Sequence, residues 1–404
     1  MLKQLVILAN IIIKCKNYKM KIVFVANVFS EKTGYITNCL PKALAKLGHE
    51  VHVVAPNVQV YFNSPDYKKT YQNFLGPAEV NIGIKEIDGF TLHRLPHGLY
   101  KTEAYIKGLY RKLKVLKPDV VQCFSVDSVI AYHLAFYKVL LNFKLFTANH
   151  ILKSVFPLHH SWNKSSLLKK TYWNIRHFVP GRIVSYLSER TYAQTIDSSE
   201  VAIDYFGVLK RKCVVDPLGV DTDFFMSLSD DSQLNLKIKY GFQKTDFICV
   251  YTGRFSEAKN PLLLARAIEQ LQKTDKSIKG LFIGSGPQEK EIKKIEGVVV
   301  SGFVPFDELN EVYNIADIGV WPREDSTSML DALACGLPII VSNKVRATER
   351  ITGCGLTYKE NNTLDLANKI HGLVANENEV KKMSKIGVEL IMSKYSWGKI
   401  AKER

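Results

Sequence analysis

Carboxylates and hydroxyls between two short apolar runs form the most distinctive stretch of this sequence. Residues 318–321 are apolar and predict a buried strand. The loop after them carries Glu324 and Ser326, and the predicted helix that follows holds Asp331. In an open α/β sheet, ligands bind outside the carboxyl ends of the strands. The free N–H groups of a helix start suit a phosphate, and carboxylates suit the hydroxyls of ribose or a sugar. The pattern therefore predicts a site for a nucleotide or a nucleotide sugar.

Two cations follow an earlier predicted strand, at residues 248–252. Arg254 comes two residues after this strand and Lys259 five residues after Arg254, just before Asn260 and Pro261 begin a helix. Two cations on a strand-end loop can clamp a diphosphate and neutralise the charge that grows on a departing nucleoside diphosphate. From the residues alone, two surface cations without a ligand remain an alternative.

Two glycine-containing turns also follow predicted strands. Gly284 begins a Gly-Ser-Gly-Pro turn that opens a helix, which is typical of a phosphate loop and equally of a tight strand-to-helix turn. Gly302, Phe303 and Val304 lie at another strand end, where backbone groups can bind a base. A plain turn is the alternative there.

The elements that must position these residues alternate between strand and helix, the pattern of parallel sheets covered on both faces. The sequence predicts two doubly wound, Rossmann-like α/β domains joined by a Pro/Gly hinge at residues 216–221. Predicted strands lie at residues 21–27, 50–55, 120–124, 144–149, 248–252, 280–283, 298–301, 318–321 and 338–341, with a further candidate at 195–198. Predicted helices cover residues 34–47 and about 377–393, and others begin near residues 261, 287, 306, 327 and 345.

The positive charge is confined to the first half. Residues 1–217 hold 30 Lys and Arg against 14 Asp and Glu, an excess of 16, whereas residues 218–404 hold 25 of each. Such asymmetry indicates an anionic partner surface, with a solvated basic face as the alternative. The basic, aromatic segment 161–190, which includes Trp162 and Trp173, predicts a lipid-facing helical surface. A helix that packs its aromatic side chains inward is the other interpretation.

No metal site is predicted, because the seven scattered cysteines lack metal-ligand spacing. They fit small buried hydrophobes in a reducing compartment, which predicts a cytoplasmic protein. Asp221 and Asp223 are similar to a metal-binding Asp-x-Asp motif, but their place after the hinge favours a structural role. Residues 1–19 are interpreted as an extension or a mis-assigned start, with a weak membrane anchor as the alternative; their apolar run is too short to span a bilayer.

In this order, the segments resemble the retaining GT-B glycosyltransferases of family 4 over most of residues 20–400. The motifs that carry the resemblance are Gly253-Arg254-Phe255-x3-Lys259, Gly284-x-Gly286-Pro287, Ser301-Gly302-Phe303, Ala316-Asp317 and the run SMLDALACGLP at 328–338, which is close to the family's LEAMACGxPV.

The resemblance implies a role for each matching position. Arg254 and Lys259 match the pair that holds the donor diphosphate, and Asp331 matches the second acid of a Glu-x7-Glu motif, which binds ribose. His150 matches a histidine beside the transferred sugar. The remaining donor-binding positions match backbone or turn elements of the family: Gly34, Gly253, Gly284, Phe303, Val304, Ser326, Thr327 and Ser328.

One departure concerns the first acid of that motif. Counting eight residues back from Asp331 gives Arg323, and the nearest acid, Glu324, is one place late. Either Glu324 takes the catalytic role of the first acid or that role is lost.

The resemblance also implies an activity and a domain plan. It implies a GT-B fold whose two domains face a cleft: an acceptor-side domain at residues 20–216 and a donor-binding domain at 217–385. A tail at residues 386–404 is expected to return to the first domain.

The enzyme would transfer a hexose-type sugar, with retention, from a nucleoside diphosphate sugar to a glycan or lipid-linked acceptor. The setting would be cell-surface polysaccharide or glycolipid synthesis at the inner membrane face, with peripheral contact to anionic lipid, no required cofactor and no nucleic acid partner. A GT-B nucleotide-sugar epimerase and a degenerate, non-catalytic member are the alternatives.

Overall fold

The computed structural model describes residues 19–31, 33–153, 156, 161–162, 164–323, 326–345 and 348–404. The chain divides into two compact units, with the boundary between Pro217 and Leu218. Within the described ranges, no helix is both long enough and apolar enough to cross a membrane.

Ten strands belong to the described part of the first unit. They are β1 (Lys21–Val25), β2 (Glu50–Pro56), β3 (Gly83–Ile87), β4 (Phe90–Leu95), β5 (His97–Tyr100), β6 (Glu103–Ile106), β7 (Val120–Cys123), β8 (Lys144–Asn149), β9 (Arg190–Ala193) and β10 (Cys213–Val215). Eight of them form one sheet in the order β10-β9-β8-β7-β1-β2-β4-β3, while β5 and β6 pair as a separate hairpin. Neighbours in the large sheet are parallel except β3 and β4.

Helices cover the sheet of the first unit. They are α1 (Ile36–Lys46), α2 (Tyr67–Thr70), α3 (Gln72–Leu75), α4 (Leu109–Leu116), α5 (Val129–Leu141), α6 (Leu167–Trp173), α7 (Val179–Leu187) and α8 (Ile196–Asp204). A π-helical turn, Asn174–Phe178, joins α6 to α7 as one continuous helical run. The apolar faces of β1, β7 and β8 form a core with buried side chains of α5 and α7, such as Leu134 and Val184. This burial on both faces explains why these strands read as almost uninterrupted apolar runs.

Helix α7 lies unusually close to the turn that follows α8. A Cβ atom at Gly181 would overlap the carbonyl oxygen of Phe206, and one at Gly207 would overlap the carbonyl oxygen of Phe178. The two backbones can approach this closely only because both positions are glycine.

The second unit contains one parallel sheet within its described residues. Its strands are β11 (Phe247–Thr252), β12 (Ile278–Ile283), β13 (Val298–Gly302), β14 (Ile318–Trp321), β15 (Ile339–Ser342) and β16 (Gly355–Tyr358). The order β13-β12-β11-β14-β15-β16 is the 3-2-1-4-5-6 order of dinucleotide-binding sheets. Its core includes the fully buried Tyr251, Tyr313, Phe282 and Trp321.

Helices of the second unit follow most of its strands. They are α9 (Asp230–Lys239), α10 (Pro261–Leu271), α11 (Glu289–Ile292), α12 (Leu309–Ile315), α13 (Ser328–Ala334), α14 (Thr363–Val374), α15 (Glu377–Leu390) and α16 (Trp397–Glu403). The last residues belong to this unit: the Val220 amide donates to the Tyr395 carbonyl at 2.7 Å, and the Trp397 amide donates to the Val220 carbonyl at 3.0 Å.

The predicted fold class, two doubly wound α/β units, is confirmed. Two predicted elements are wrong. Residues 195–198 start helix α8, where the Thr195 hydroxyl accepts from the Ser198 amide and the Ser198 hydroxyl accepts from the Thr195 amide, a capping box. The helix expected near residue 345 is only a short 3-10 turn, Thr348–Arg350. Strands β3 to β6, β9, β10 and β16 were not predicted from the sequence.

Candidate functional site

The predicted donor site lies at the topological switch point of the second sheet. Strands β11 and β14 are hydrogen-bonded neighbours, yet the chain leaves β11 toward β12 on one side and leaves β14 toward β15 on the other. The loops after these two strands therefore diverge and leave a crevice at the carboxyl edge of the sheet. Gly253, Arg254 and Lys259 lie on the first loop. The second loop and the start of α13 carry Ser326, Thr327, Ser328 and Asp331.

A buried indole connects the two loops. Trp321, which is 2% exposed, donates from Nε1 to the Thr252 carbonyl at 3.2 Å and to Ser328 Oγ at 3.1 Å. The Ser326 and Ser328 hydroxyls are 2.7 Å apart and hydrogen-bonded. The end of β11 and the first residue of α13 are thus held at a fixed separation by a side chain that is itself fully packed.

Arg323, which stands where the family motif has its first acid, has a structural contact. Its Nη1 donates to the Glu257 carbonyl at 2.9 Å, within the loop that carries Arg254 and Lys259. Arg323 therefore adds a second link between the two loops. Glu324, the predicted substitute for the missing acid, lies outside the described residues.

The Gly284–Gly286 turn packs its backbone against the backbone of the loop at residues 253–255. Gly284 and Gly286 have φ values of 137° and 155°. A Cβ atom at Gly284 would overlap the Gly253 carbonyl oxygen, and one at Gly286 would lie 2.6 Å from the Phe255 carbonyl oxygen. The Phe255 amide donates to the Ser285 carbonyl at 2.9 Å. The close approach accounts for both glycines as parts of a tight strand-to-helix turn, and donor contact by Gly284 stays a prediction.

Asp331 has an unusual electrostatic environment. Its side chain is half-buried in the first turn of α13, and burial together with the nearby charge of Asp221 raises the pKa of its carboxyl to about 8. Burial, and then the charge of Asp331, also raises the pKa of Tyr313 and Cys335. Asp331 can therefore donate a hydrogen bond when protonated or accept two when ionised, and either form suits a ribose hydroxyl.

The other predicted residues of this unit surround the same edge of the sheet. Arg254 is exposed, while its backbone carbonyl accepts from the Tyr251 hydroxyl at 3.0 Å; Lys259 is half-buried. Phe303 is exposed and Val304 buried, directly after the edge strand β13. The Arg254 side chain is thus presented from a loop whose backbone is fixed.

His150 and Gly34 belong to the first unit. His150 directly follows β8, is half-buried, and accepts a hydrogen bond from Gln194 Nε2 at its carbonyl, at 2.9 Å. Gly34 lies between β1 and α1, in a loop whose Ser30 carbonyl accepts from the Thr33 hydroxyl and from Asn38 Nδ2, both at 2.9 Å. Both residues therefore follow the carboxyl ends of strands in the first sheet.

A polar cluster that the sequence did not predict lies after β7. The two oxygens of Asp127 bond to the Tyr132 hydroxyl and, at 2.8 Å, to Nδ1 of His177 on the π-helical turn. Beside it, Glu103 Oε1 accepts from Asn27 Nδ2 at 3.2 Å, and burial raises the pKa of this carboxyl. Asp127 follows a predicted strand, which is a usable signal, but nothing in the sequence links it to His177.

No group of three or more His, Cys, Asp or Glu side chains within the described ranges is placed to hold a metal ion.

Family comparisons agree with the geometry. The family described as "Glycosyltransferase Family 4" matches residues 39–224, and the family described as "Glycosyl transferases group 1" matches residues 246–376. The second match includes β11 and β14, whose loops form the switch point of the second sheet, and the first match begins within α1, after β1. The chain belongs to the family 4 glycosyltransferases.

Two relatives of this family 4 glycosyltransferase are named for glycolipid or sugar transfer. The chain is 24% identical over 342 residues to the alpha-monoglucosyldiacylglycerol synthase of Acholeplasma laidlawii, covering 78% of this chain and 79% of the relative. It is 21% identical over 332 residues to a sulfoquinovosyl transferase of Arabidopsis thaliana, covering 75% of this chain and 61% of the relative.

Solved structures confirm the GT-B fold of this glycosyltransferase. HepE from Anabaena, determined in complexes with UDP and with UDP-glucose, superposes with a TM-score of 0.65 at 15% identity. The superposition covers 95% of this chain and 98% of HepE.

Proposed function

We propose that this family 4 glycosyltransferase moves a hexose-type sugar from a nucleoside diphosphate sugar to a glycan or lipid-linked acceptor and retains the anomeric configuration. The observation that supports this most directly is the second unit's switch point. It combines two loop cations, a serine-rich helix start and a half-buried acid, tied together by Trp321 and Arg323. Each group matches one part of a nucleotide sugar.

Arg254 and Lys259 are proposed to hold the diphosphate. In such a reaction the bond from the anomeric carbon to the diphosphate oxygen breaks, and the negative charge on the departing diphosphate rises. Cations held beside that oxygen stabilise the transition state more than the ground state. The backbone around Ser326, Thr327 and Ser328 adds N–H donors to the phosphate. This scheme requires no metal.

Asp331 is proposed to bind the ribose hydroxyls, and burial, with the charge of Asp221 as the second cause, raises the pKa of its carboxyl to about 8. A protonated Asp331 donates one hydrogen bond and accepts another, so it can bind both hydroxyls of a ribose. Phe303 and Val304 are proposed to receive the base through their backbone groups.

His150 and Gly34 are proposed to act on the sugar and diphosphate. His150 would hydrogen-bond the sugar and stabilise the positive charge that develops at its anomeric carbon. In a retaining transfer, the acceptor hydroxyl approaches the face that the diphosphate leaves. Its proton passes to a departing phosphate oxygen, so that atoms and charge balance without a separate base.

A UDP-sugar donor and a membrane lipid acceptor are the finer parts of the proposal. HepE, which has the same fold, was determined with UDP-glucose, and one relative is named an alpha-monoglucosyldiacylglycerol synthase. Peripheral attachment at the cytoplasmic face of the membrane is part of this proposal, as is a role in glycolipid or cell-surface polysaccharide synthesis.

Ligand-dependent stability tests the donor assignment. A donor that binds only the folded state at about a hundred times its Kd adds about 2.7 kcal/mol of stability. We therefore expect a clear rise in Tm with UDP-sugars and little change with GDP- or ADP-sugars. Release of UDP that depends on added diacylglycerol glycolipid, with an α-linked product by NMR, would support retaining transfer.

Two results would redirect the proposal. Conversion of the donor to its epimer without acceptor would identify an epimerase. Donor binding without turnover for any acceptor would identify a non-catalytic member, for which the contact that Arg323 makes at the position of the missing acid is the supporting observation.

A further inference from the structure

The helical run from α6 to α7 exposes a row of large apolar side chains. Leu168, Tyr172, Ile175, Val179, Ile183 and Tyr186 are between 50% and 83% exposed. They are spaced four, three, four, four and three residues apart, so they lie on one face of a helix. At 1.5 Å per residue, the row extends for roughly 27 Å.

The opposite side of this helical run packs against the core of the first unit. Trp173 donates from Nε1 to the Tyr205 carbonyl at 2.9 Å and stacks on His177 with ring centroids 4.0 Å apart. Trp162 packs edge-on against Tyr205, with centroids 5.3 Å apart. The tryptophans that the sequence suggested for a lipid interface thus face inward, and a different set of apolar side chains faces outward.

Helix α5 widens the exposed apolar area. It packs beside α7 and exposes Phe136, Val139 and Leu140 by 63%, 68% and 56%. We call the six residues of the row and these three together the outer face. An apolar area of this size on one side of a unit marks an interaction surface more often than an accident of composition.

The charge of this region is mostly positive, although Lys138 on α5 pairs with Glu189 at 2.9 Å. Residues 128–188 include no Asp or Glu and carry eight Lys and Arg. Lys170 and Arg182 extend over the rings of Trp162 and Phe178, so their stems cover apolar surface and their charged ends remain available to solvent. At the other end of the row, Lys212 lies over the ring of Tyr186.

We infer that the outer face seats this protein on an anionic lipid bilayer, with its apolar side chains at the headgroup–acyl boundary and its cations against lipid phosphates. The inference deepens the membrane attachment in the proposed function by assigning its surface. A second copy of the chain fits less well, because a two-fold contact would bring together two surfaces that each carry an excess of Lys and Arg. An amphipathic helix with apolar and cationic side chains of this kind is suited to the membrane interface.

Vesicle flotation with the full chain tests this inference. We expect binding to phosphatidylcholine vesicles that contain phosphatidylglycerol and little binding to pure phosphatidylcholine. Binding should fall strongly in about 1 M NaCl, where the Debye length is about 3 Å. The double variant Leu168→Glu/Ile183→Glu should lower the partition coefficient about tenfold or more, because each substitution removes an apolar contact and adds a repelled charge.

A matched variant controls for added negative charge. Ile82 and Ile84 are similarly exposed, at 56% and 66%, at the β3 edge of the same sheet. Ile82→Glu/Ile84→Glu should keep wild-type partitioning. An equal loss of vesicle binding in both double variants would overturn the inference. Equal binding to vesicles with and without phosphatidylglycerol would do the same. So would a dimer in light scattering that only Leu168→Glu/Ile183→Glu dissociates, combined with no vesicle binding.

The UDP-glucose thermal shift separates this inference from the proposed function. Leu168→Glu/Ile183→Glu should keep the wild-type shift, which also shows that the variant is folded. Loss of vesicle binding with an intact shift supports the assigned surface. A wild-type protein that binds vesicles through the outer face yet shows no shift with any nucleotide sugar would contradict the donor proposal alone.

Discussion

The switch points of the two sheets are built differently. In the second unit, the candidate site comes from two short segments, Gly253 to Lys259 and Arg323 to Asp331. Within each segment the site residues are close in sequence. In the first unit, the switch point lies between β1 and β7. Asp127 there bonds to His177, and Glu103 beside it bonds to Asn27 and to the Val129 amide, so the polar side chains come from separate elements. A phosphate can be bound by local features such as a helix start and a loop cation, whereas a hydroxyl-bonding network needs side chains that only the tertiary fold brings together.

The largest expected effect is a loss of kcat when a cation of the second unit's site is replaced. Arg254→Ala should lower kcat by about a hundred- to a thousandfold, because one preorganised partner of the leaving group is lost. Arg254→Lys should recover part of the activity, since charge is kept but two-pronged hydrogen bonding is not. Steady-state assays with UDP-sugar measure both. Arg266→Ala, an exposed arginine on α10, is the control and should remain near wild type. Unchanged kcat in Arg254→Ala would remove the proposed donor site.

The next effect concerns the backbone contact that shapes the same site. Gly284→Ala should lower the free energy of unfolding by about 3 kcal/mol, because its Cβ would overlap the Gly253 carbonyl oxygen and its φ disfavours alanine. Gly372→Ala in α14, where a Cβ meets no neighbour within 4 Å, should instead gain about 0.5–1 kcal/mol. Urea unfolding measures the free energy of unfolding of both variants. A loss in Gly284→Ala no larger than the change in Gly372→Ala would contradict the close backbone contact.

The titration of Asp331 gives a pH-dependent prediction. Its pKa is raised from 3.8 to about 8 in the folded chain, so between these values the folded state binds more protons than the unfolded state. The contribution of Asp331 to stability therefore declines as pH rises from about 4 to about 8. Asp331→Asn should flatten the slope of unfolding free energy against pH between 5 and 8, whereas Asp307→Asn, an exposed position, should not. Equal slopes in wild type and Asp331→Asn would show that Asp331 ionises normally.

The smallest expected effect is in the first unit, where Asp127 joins Tyr132 and His177. Asp127→Asn should cost about 1–2 kcal/mol of stability, since one hydrogen-bonded charge is lost while the amide keeps its shape. The UDP-glucose thermal shift should stay at its wild-type size. Asp66→Asn, an exposed residue that caps no helix through its side chain, is the control. A lost shift in Asp127→Asn would mean that the two switch points do not differ as described.

Strands and contiguous motifs are the parts of this molecule that sequence predicts well. Residues 144–149 and 318–321 were predicted with the bounds that the structure has, because buried parallel strands leave an unbroken apolar run. Thr195 and Ser198 were mistaken for a strand because a capping box and a short β run both use hydroxyl residues.

Contacts between distant residues account for what sequence did not predict. The Arg323 bond to the Glu257 carbonyl and the His177 bond to Asp127 join positions 66 and 50 residues apart, and no local pattern encodes either. For the segment 161–190, the tryptophans follow the alternative interpretation, in which the helix packs its aromatic side chains inward. Tryptophans are usual at lipid interfaces, but here the core takes them, and the exposed row consists of leucine, isoleucine, valine and tyrosine.

The paired glycines at 181 and 207 couple the position of helix α7 to that of the turn after α8. With main chain pressed on main chain, helix α7 has no compliant layer of side chains between itself and the turn after α8. A tilt of α7 therefore requires the turn after α8 to move with it. A side chain larger than glycine at either position would force the two backbones apart, and the orientation of α7 relative to the rest of the unit would change with it.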